Sequence, residues 1–202
     1  MRHLVLGSSS PFRSAILEKL TLPFDTCSPD IDETPLPNET PQELVKRLAL
    51  KKAKAVALTH PSSLIIAGDQ VSVLNGKING KPGTRENAIR QLTESSGNTV
   101  SFHTSLCLYD AQEKTYQLIV EPYFVHFRDL SSQAIENYVD KELPLNCAGS
   151  FKSEGLGIAL FNRLEGDDPN TLIGLPLIRL IEMLDKKPSS YTHLMLSSNT
   201  LV

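Results

Sequence analysis

Four consecutive apolar residues, Leu64-Ile65-Ile66-Ala67, run directly into Gly68-Asp69-Gln70. A short apolar run of this kind reads as a buried strand. A carboxylate placed where such a strand ends is held rigidly at the rim of a cleft, and Asp69 stands there. A second run, Leu4-Val5-Leu6, leads into Gly7-Ser8-Ser9-Ser10-Pro11-Phe12-Arg13. These two strand-to-loop junctions are the strongest constraint on the fold.

The pattern between them alternates strands and helices. After a strand at about 3–7, Ser8 or Ser9 is expected to cap a helix with Pro11 in its first turn and Ile16, Leu17 and Leu20 on one face. Phe24 to Cys27 reads as a short strand, and 28–41, rich in Pro and acids, as a loop. A helix follows from about Pro41 to Leu58, with Leu44, Val45, Leu48, Ala49 and Ala53 inward and Lys46, Arg47, Lys51, Lys52 and Lys54 on its exposed side. Asn75-Gly76 marks a hairpin, and Thr84 the cap of a helix reaching about Ser95. Asn98–Tyr109 and Gln117–Phe127 alternate as long paired strands, followed by a helix capped at Ser131 or Ser132. The stretch from Gly149 to Gly155 is irregular, Ile158–Phe161 is strand-like, Asp168-Pro169 opens a short turn or helix, and Pro176 starts the last helix. The expectation is a mixed α/β domain over residues 1–185 and a frayed polar tail over 186–202.

At 202 residues, 40% hydrophobic and 21% charged, the chain buries a full core. A net charge of −3 argues against nucleic-acid binding. No apolar run is long enough to span a bilayer, and no signal peptide is visible. Cys27, Cys107 and Cys147 are far apart and read as reduced structural thiols of a cytoplasmic protein. The five histidines form no metal-binding pattern.

Ser8, Ser10 and Arg13 surround a helix start, where unpaired N–H groups and a guanidinium suit an anion. The competing reading is an ordinary N-cap with a solvated Arg. No Walker A sequence and no Gly-x-Ser-x-Gly elbow occurs. Asp32 and Glu33 are either oxygen ligands for a divalent metal or solvated loop charges. Lys81, set between Gly80 and Pro82 in a tight turn, is a candidate phosphate contact. Asp69 suits a general base on water, or a metal ligand shared with Glu33. Together these groups make a kit for hydrolysing a polyphosphate.

Read in order, Ser8-x-Ser10-x-x-Arg13, Asp32-Glu33-Thr34, Lys52-Ala53, Gly68-Asp69-Gln70, Gly80-Lys81-Pro82 and Gly149-Ser150-Phe151-Lys152-Ser153-Glu154-Gly155 resemble the Maf family of nucleoside triphosphate pyrophosphatases. The resemblance covers the chain to about Asp185. It implies an elongated mixed sheet with flanking helices, similar to inosine triphosphate pyrophosphatases, with an active-site cleft between two lobes. It also implies cleavage between the α- and β-phosphates of a small nucleotide, with Asp69 as proton acceptor and Glu33 and Asp69 holding Mg²⁺ or Mn²⁺. Ser8, Ser10, Arg13, Lys52 and Lys81 are then the substrate-binding set, and a homodimer is implied.

Phe12, Gln70 and Glu154 occupy the positions that separate the branches of that family. An aromatic residue with Gln70 and Glu154 resembles the branch acting on 7-methyl-GTP, whereas the dTTP/UTP branch carries Arg at the first position. The methylated base is cationic, so an aromatic face attracts it and a carboxylate pairs with it. Phe12 stands where that branch usually has Trp. The rival from a different class is a non-catalytic nucleotide-binding regulator of cell division.

Overall fold

The computed structural model describes residues 2–187 and Tyr191. Eight strands among these residues join in one mixed sheet, flanked by helices. Two compact units divide the chain. The first comprises Met1–Asp69, Ser105–Val120 and Gly174–Val202, and the second Gln70–Thr104 and Glu121–Ile173.

In the first unit, β1 (Leu4–Gly7) lies parallel to β2 (Phe24–Thr26) on one side and to β3 (Leu64–Ala67) on the other. Both apolar runs are buried along their whole length, because the strands are inside the sheet and no face reaches water. Helix α1 (Pro11–Glu18) follows β1, and α2 (Pro41–Ala57) precedes β3. Ala49, Ala53 and Val56 of α2 share a core with Val5, Ile65, Ala67 and Cys107. Burial in that core pushes the Cys107 thiol up to about 12, so it stays a packing group.

Local chemistry accounts for the helix starts. Thr40 and Glu43 form a capping box on α2, each side chain taking the other residue's backbone N–H. The cap of α1 is Ser10, whose Oγ accepts from Arg13 N at 3.4 Å, not Ser8 or Ser9. Pro11 favours the first helical position, which moves the cap to the residue just before it.

The second unit holds the hairpin of β4 (Gln70–Leu74) and β5 (Lys77–Asn79), turned by Asn75 and Gly76 at φ 51° and 75°. That positive pair is the geometry Asn-Gly adopts in a tight hairpin. Helix α3 (Arg85–Ser95) is capped by Thr84 and α4 (Ser132–Glu142) by Ser131. The long strands β6 (Thr99–Asp110) and β7 (Thr115–Phe127) contribute to both units, and β8 (Phe161–Glu165) pairs with β7. Phe151 sits edge-to-face against Phe102, Phe127 and Phe161, with centroids 4.8–5.7 Å away, and so roots the loop that carries it.

Residues 156–160 form a 3-10 turn rather than the expected strand, which starts only at Phe161. A Cβ on Gly157 would lie 2.2 Å from the Lys152 carbonyl oxygen, so this segment folds back onto its own chain instead of extending. Helices α5 (Pro169–Ile173) and α6 (Leu177–Asp185) follow β8. Most of the expected tail lies outside the described residues. Within it, Lys187 Nζ reaches Asp110 Oδ2 at 3.1 Å, and buried Tyr191 donates its hydroxyl to the Arg2 carbonyl.

Candidate active site

Asp69 follows β3 in the first unit, and its backbone is fixed twice. Its N–H donates to Ser105 Oγ at 2.9 Å, and its carbonyl accepts Ser105 N–H at 2.9 Å. Ser105 Oγ also donates to the Val45 carbonyl of α2 at 2.7 Å. Gly68 is required beside it, because a Cβ there would meet the Ser105 carbonyl oxygen at 2.5 Å. The strand end is thus tied to α2, the helix that supplies the next group.

That group is Lys52. Its Nζ lies 2.6 Å from Asp69 Oδ1 and 2.8 Å from Glu33 Oε1. The residue is only 8% exposed, which corrects its placement on the solvated side of the helix. Lys52 stands four residues from both Leu48 and Val56, on the buried stripe of α2. A buried ammonium needs partners, and the two carboxylates supply them.

Glu33 is presented by the loop before α2, and Arg47 holds that loop. Arg47 Nη2 donates to the Thr34 carbonyl at 3.0 Å, while Nε and Nη2 grip Glu39 at 2.5 and 2.7 Å. The guanidinium pulls the Glu39 carboxyl down to about 2. Asp32 does not join Glu33. Its Oδ1 accepts Thr34 N–H at 2.9 Å, and hydrogen bonds from Thr34 hold it below the usual carboxylate range. It shapes the turn, as Asp does through its own backbone.

Around the start of α1, Ser8 Oγ accepts Ser10 N–H at 3.1 Å and Arg13 Nη1 at 3.5 Å. Arg13 Nε donates to the Gly174 carbonyl at 2.8 Å. Burial pushes the Arg13 guanidinium down, and Asp69 and Glu33 pull it back up, so both carboxylates are within its electrostatic reach. Ser8, Arg13, Glu33, Lys52 and Asp69 therefore form one polar centre on the first unit. Phe12 is half-buried in the first turn of the same helix.

The second unit carries the other sequence candidates. Gln70 Nε2 donates to Thr104 Oγ1 at 2.8 Å, the Thr171 carbonyl at 2.9 Å and the Leu172 carbonyl at 3.1 Å. Two of these partners are carbonyls and only accept, which fixes which end of the amide faces them. Lys81 is exposed on an open loop rather than in the expected tight turn. Three bonds pin that loop from outside: Gln91 Nε2 to the Gly80 carbonyl, Asn87 Nδ2 to the Pro82 carbonyl, and Gly83 N–H to the Leu145 carbonyl. Glu154 is exposed, and Ser153 Oγ lies 3.4 Å from its carboxylate. Burial raises the Cys147 thiol, Glu154 adds to that, and Lys152 and Lys81 oppose it. All three charged side chains thus lie around Cys147.

The sequence model of the family described as Maf-like protein matches residues 3–187. The chain belongs to the Maf family. A relative, the 7-methyl-GTP pyrophosphatase of Colwellia psychrerythraea strain 34H, is 57% identical over 184 residues, 91% of this chain and 92% of that protein.

Four residues of this Maf chain do structural work that the sequence reading missed. Ser105 and Thr104 are buried hydroxyls directly before the apolar run Leu106–Tyr109 of the same strand, and that mismatch is itself a signal of hydrogen bonding. Arg47 and Gln91 left no comparable mark, because a polar residue on a helix is ordinary until its neighbours are known. Among the described residues no three His, Cys, Asp or Glu side chains cluster as a metal site, and no helix is long and apolar enough to cross a membrane.

Proposed function

We propose that this chain is a nucleotide pyrophosphatase that hydrolyses 7-methyl-GTP to 7-methyl-GMP and pyrophosphate, removing a modified nucleotide from the pool. The observation that carries this reading is the 57% identity across 91% of the chain to a 7-methyl-GTP pyrophosphatase. The polar centre supports it with suitable chemistry.

In this reading Asp69 takes the proton of the attacking water. Lys52 holds Oδ1, which leaves Oδ2 for that proton. Cleavage of a phosphoric anhydride asks mainly for positioning and for neutralisation of charge on the phosphoryl oxygens. Lys52, Arg13 and Lys81 supply positive charge. Arg13 has Nε committed to Gly174, so its terminal nitrogens serve the phosphate. Ser8 and Ser10 use their oxygens as acceptors within the loop, which leaves each hydroxyl proton to donate to the substrate.

Glu33 and Asp69 fit a hard divalent cation, Mg²⁺ or Mn²⁺. Both are hard oxygen donors held near one another, Glu33 at 2.8 Å and Asp69 at 2.6 Å from the same Lys52 ammonium, and Mg²⁺ sites commonly use one or two carboxylates with substrate phosphates completing the shell. Such an ion supplies further neutralisation of the phosphates when bound. For the base, Phe12 offers a ring face to the cationic purine and Glu154 a carboxylate. Gln70, with its NH₂ committed, presents Oε1 as an acceptor for a base N–H.

The test is pyrophosphate release with Mg²⁺ or Mn²⁺ across 7-methyl-GTP, GTP, dTTP, UTP, CTP and ITP, with Asp69→Asn as control. Selective turnover of 7-methyl-GTP that the variant lacks is the expected result. Preference for dTTP and UTP would overturn the assignment of Phe12 and Glu154. Binding without turnover of any nucleotide would favour a regulator over an enzyme.

A further inference from the structure

Gln91 lies on α3 and is only 6% exposed. A buried amide is costly unless both its ends are paired. Gln91 pairs them on two separate segments of the second unit. Nε2 donates to the Gly80 carbonyl at 3.1 Å, and Oε1 accepts the hydroxyl of fully buried Ser150 at 2.5 Å. Gly80 immediately precedes Lys81, and Ser150 stands two residues before Lys152 and four before Glu154.

The other fastenings described for these segments each hold one of them. Asn87 and the Leu145 carbonyl hold the Lys81 loop. Tyr138 accepts Lys152 N–H at 2.9 Å, and Glu142 receives Lys152 Nζ on its carbonyl at 2.6 Å and Leu156 N–H on Oε1 at 3.0 Å. Only Gln91, of all these, touches both. The segments end close together, since Lys81, Lys152 and Glu154 all act on the same Cys147 thiol.

We infer that Gln91 is a positioning residue that sets the spacing between Lys81 and the Lys152–Glu154 segment, and through that spacing the selectivity for the base. This rests on the proposed reading, in which Lys81 binds phosphate and Glu154 meets the base. A small displacement of either segment misaligns one end of the nucleotide relative to the other.

Two variants test the clamp from opposite sides. Gln91→Met keeps the apolar stem but neither donates to Gly80 nor accepts from Ser150. Ser150→Ala removes one hydroxyl and leaves Gln91 in place, which keeps the test open if the first variant folds poorly. The ratio of kcat/KM for 7-methyl-GTP over GTP does not depend on how much enzyme is folded. It therefore separates positioning from stability. In both variants that ratio should fall about tenfold, with KM for 7-methyl-GTP rising more than kcat falls. The double variant should lose little more than either single one. An unchanged ratio and KM, with only a lowered Tm, would overturn the inference.

A second readout needs no nucleotide. In Ser150→Ala, amide exchange at Gly83 should quicken about tenfold, although Ser150 makes no hydrogen bond to the Lys81 loop. Unchanged exchange would overturn the clamp. A wild type that hydrolyses no nucleotide refutes the proposed function instead, and the exchange result still decides the clamp.

Discussion

Replacing Gly68 with Ala tests how tightly Asp69 is held. The φ of Gly68 is not in the left-handed region, so the backbone itself tolerates Ala. Contact forbids it. The new Cβ would stand 2.5 Å from the Ser105 carbonyl oxygen, and real Cβ atoms essentially never approach within 3.0 Å. The two chains must part by at least half an ångström, and the obstacle is backbone with no flexible end to give way. That parting strains the two 2.9 Å bonds between Asp69 and Ser105. Overpacking of this kind costs about 1–3 kcal/mol, and a weakened backbone bond adds up to about 1 kcal/mol. The carboxylate moves with its backbone, away from a Lys52 contact of 2.6 Å. Since about 1 Å of misplacement costs about a hundredfold, a shift half as large predicts a kcat loss of about tenfold. KM should change little, because the phosphate-binding groups stay in place. Urea denaturation and pyrophosphate release measure the two effects. A variant within about 0.5 kcal/mol of wild type, with kcat within about twofold, would show that Asp69 does not depend on this close approach.

Other consequences follow from the same polar centre. Lys52→Met removes the ammonium shared by Asp69 and Glu33, and should lower kcat/KM by about 10²–10³-fold. Its stability should drop by about 1–3 kcal/mol, less than for a fully buried pair because the Glu33 side chain is 56% exposed. A Lys52→Met enzyme with wild-type kinetics would remove Lys52 from the mechanism. Glu39→Gln probes the loop that presents Glu33. The folded carboxyl titrates at about 2 against an ordinary 4.5, so its bond to Arg47 adds stability that is complete above about pH 4.5 and lost as pH falls toward 2. The stability gap between wild type and Glu39→Gln, followed by urea melts from pH 7 down, should therefore close on acidification. A gap that stays constant with pH contradicts the pairing.

Much of the fold was legible because its signals are short-range. The hairpin at Asn75-Gly76, the cap at Thr84, the helix start narrowed to Ser131 or Ser132, and the buried runs at 4–6 and 64–67 each depend on a few adjacent residues. The misreadings fall where neighbours in sequence say little. Ile158-Ala159-Leu160 is apolar enough for a strand, yet the approach of Gly157 to the Lys152 carbonyl winds it into a turn. Ser8 or Ser9 was the expected cap, and the proline after Ser10 makes Ser10 the cap instead.

The candidate site divides along the same line. Sequence alone placed Asp69 at the end of a buried strand and Arg13 at the start of a helix, since periodicity and capping chemistry act over three or four residues. The tight turn expected at Lys81 is instead an open loop held by bonds from other segments. Charge put Lys52 on the solvated side of its helix, although its spacing of four from Leu48 and from Val56 matches the buried stripe. Only the tertiary structure settled that conflict, by bringing Asp69, 17 residues away, within hydrogen-bonding distance. The same holds for Ser105 beneath Asp69 and for Ser150 on Gln91, separated by 36 and 59 residues. The free energy of such contacts comes from removing polar groups from water together, and that partnership exists only once the chain has folded.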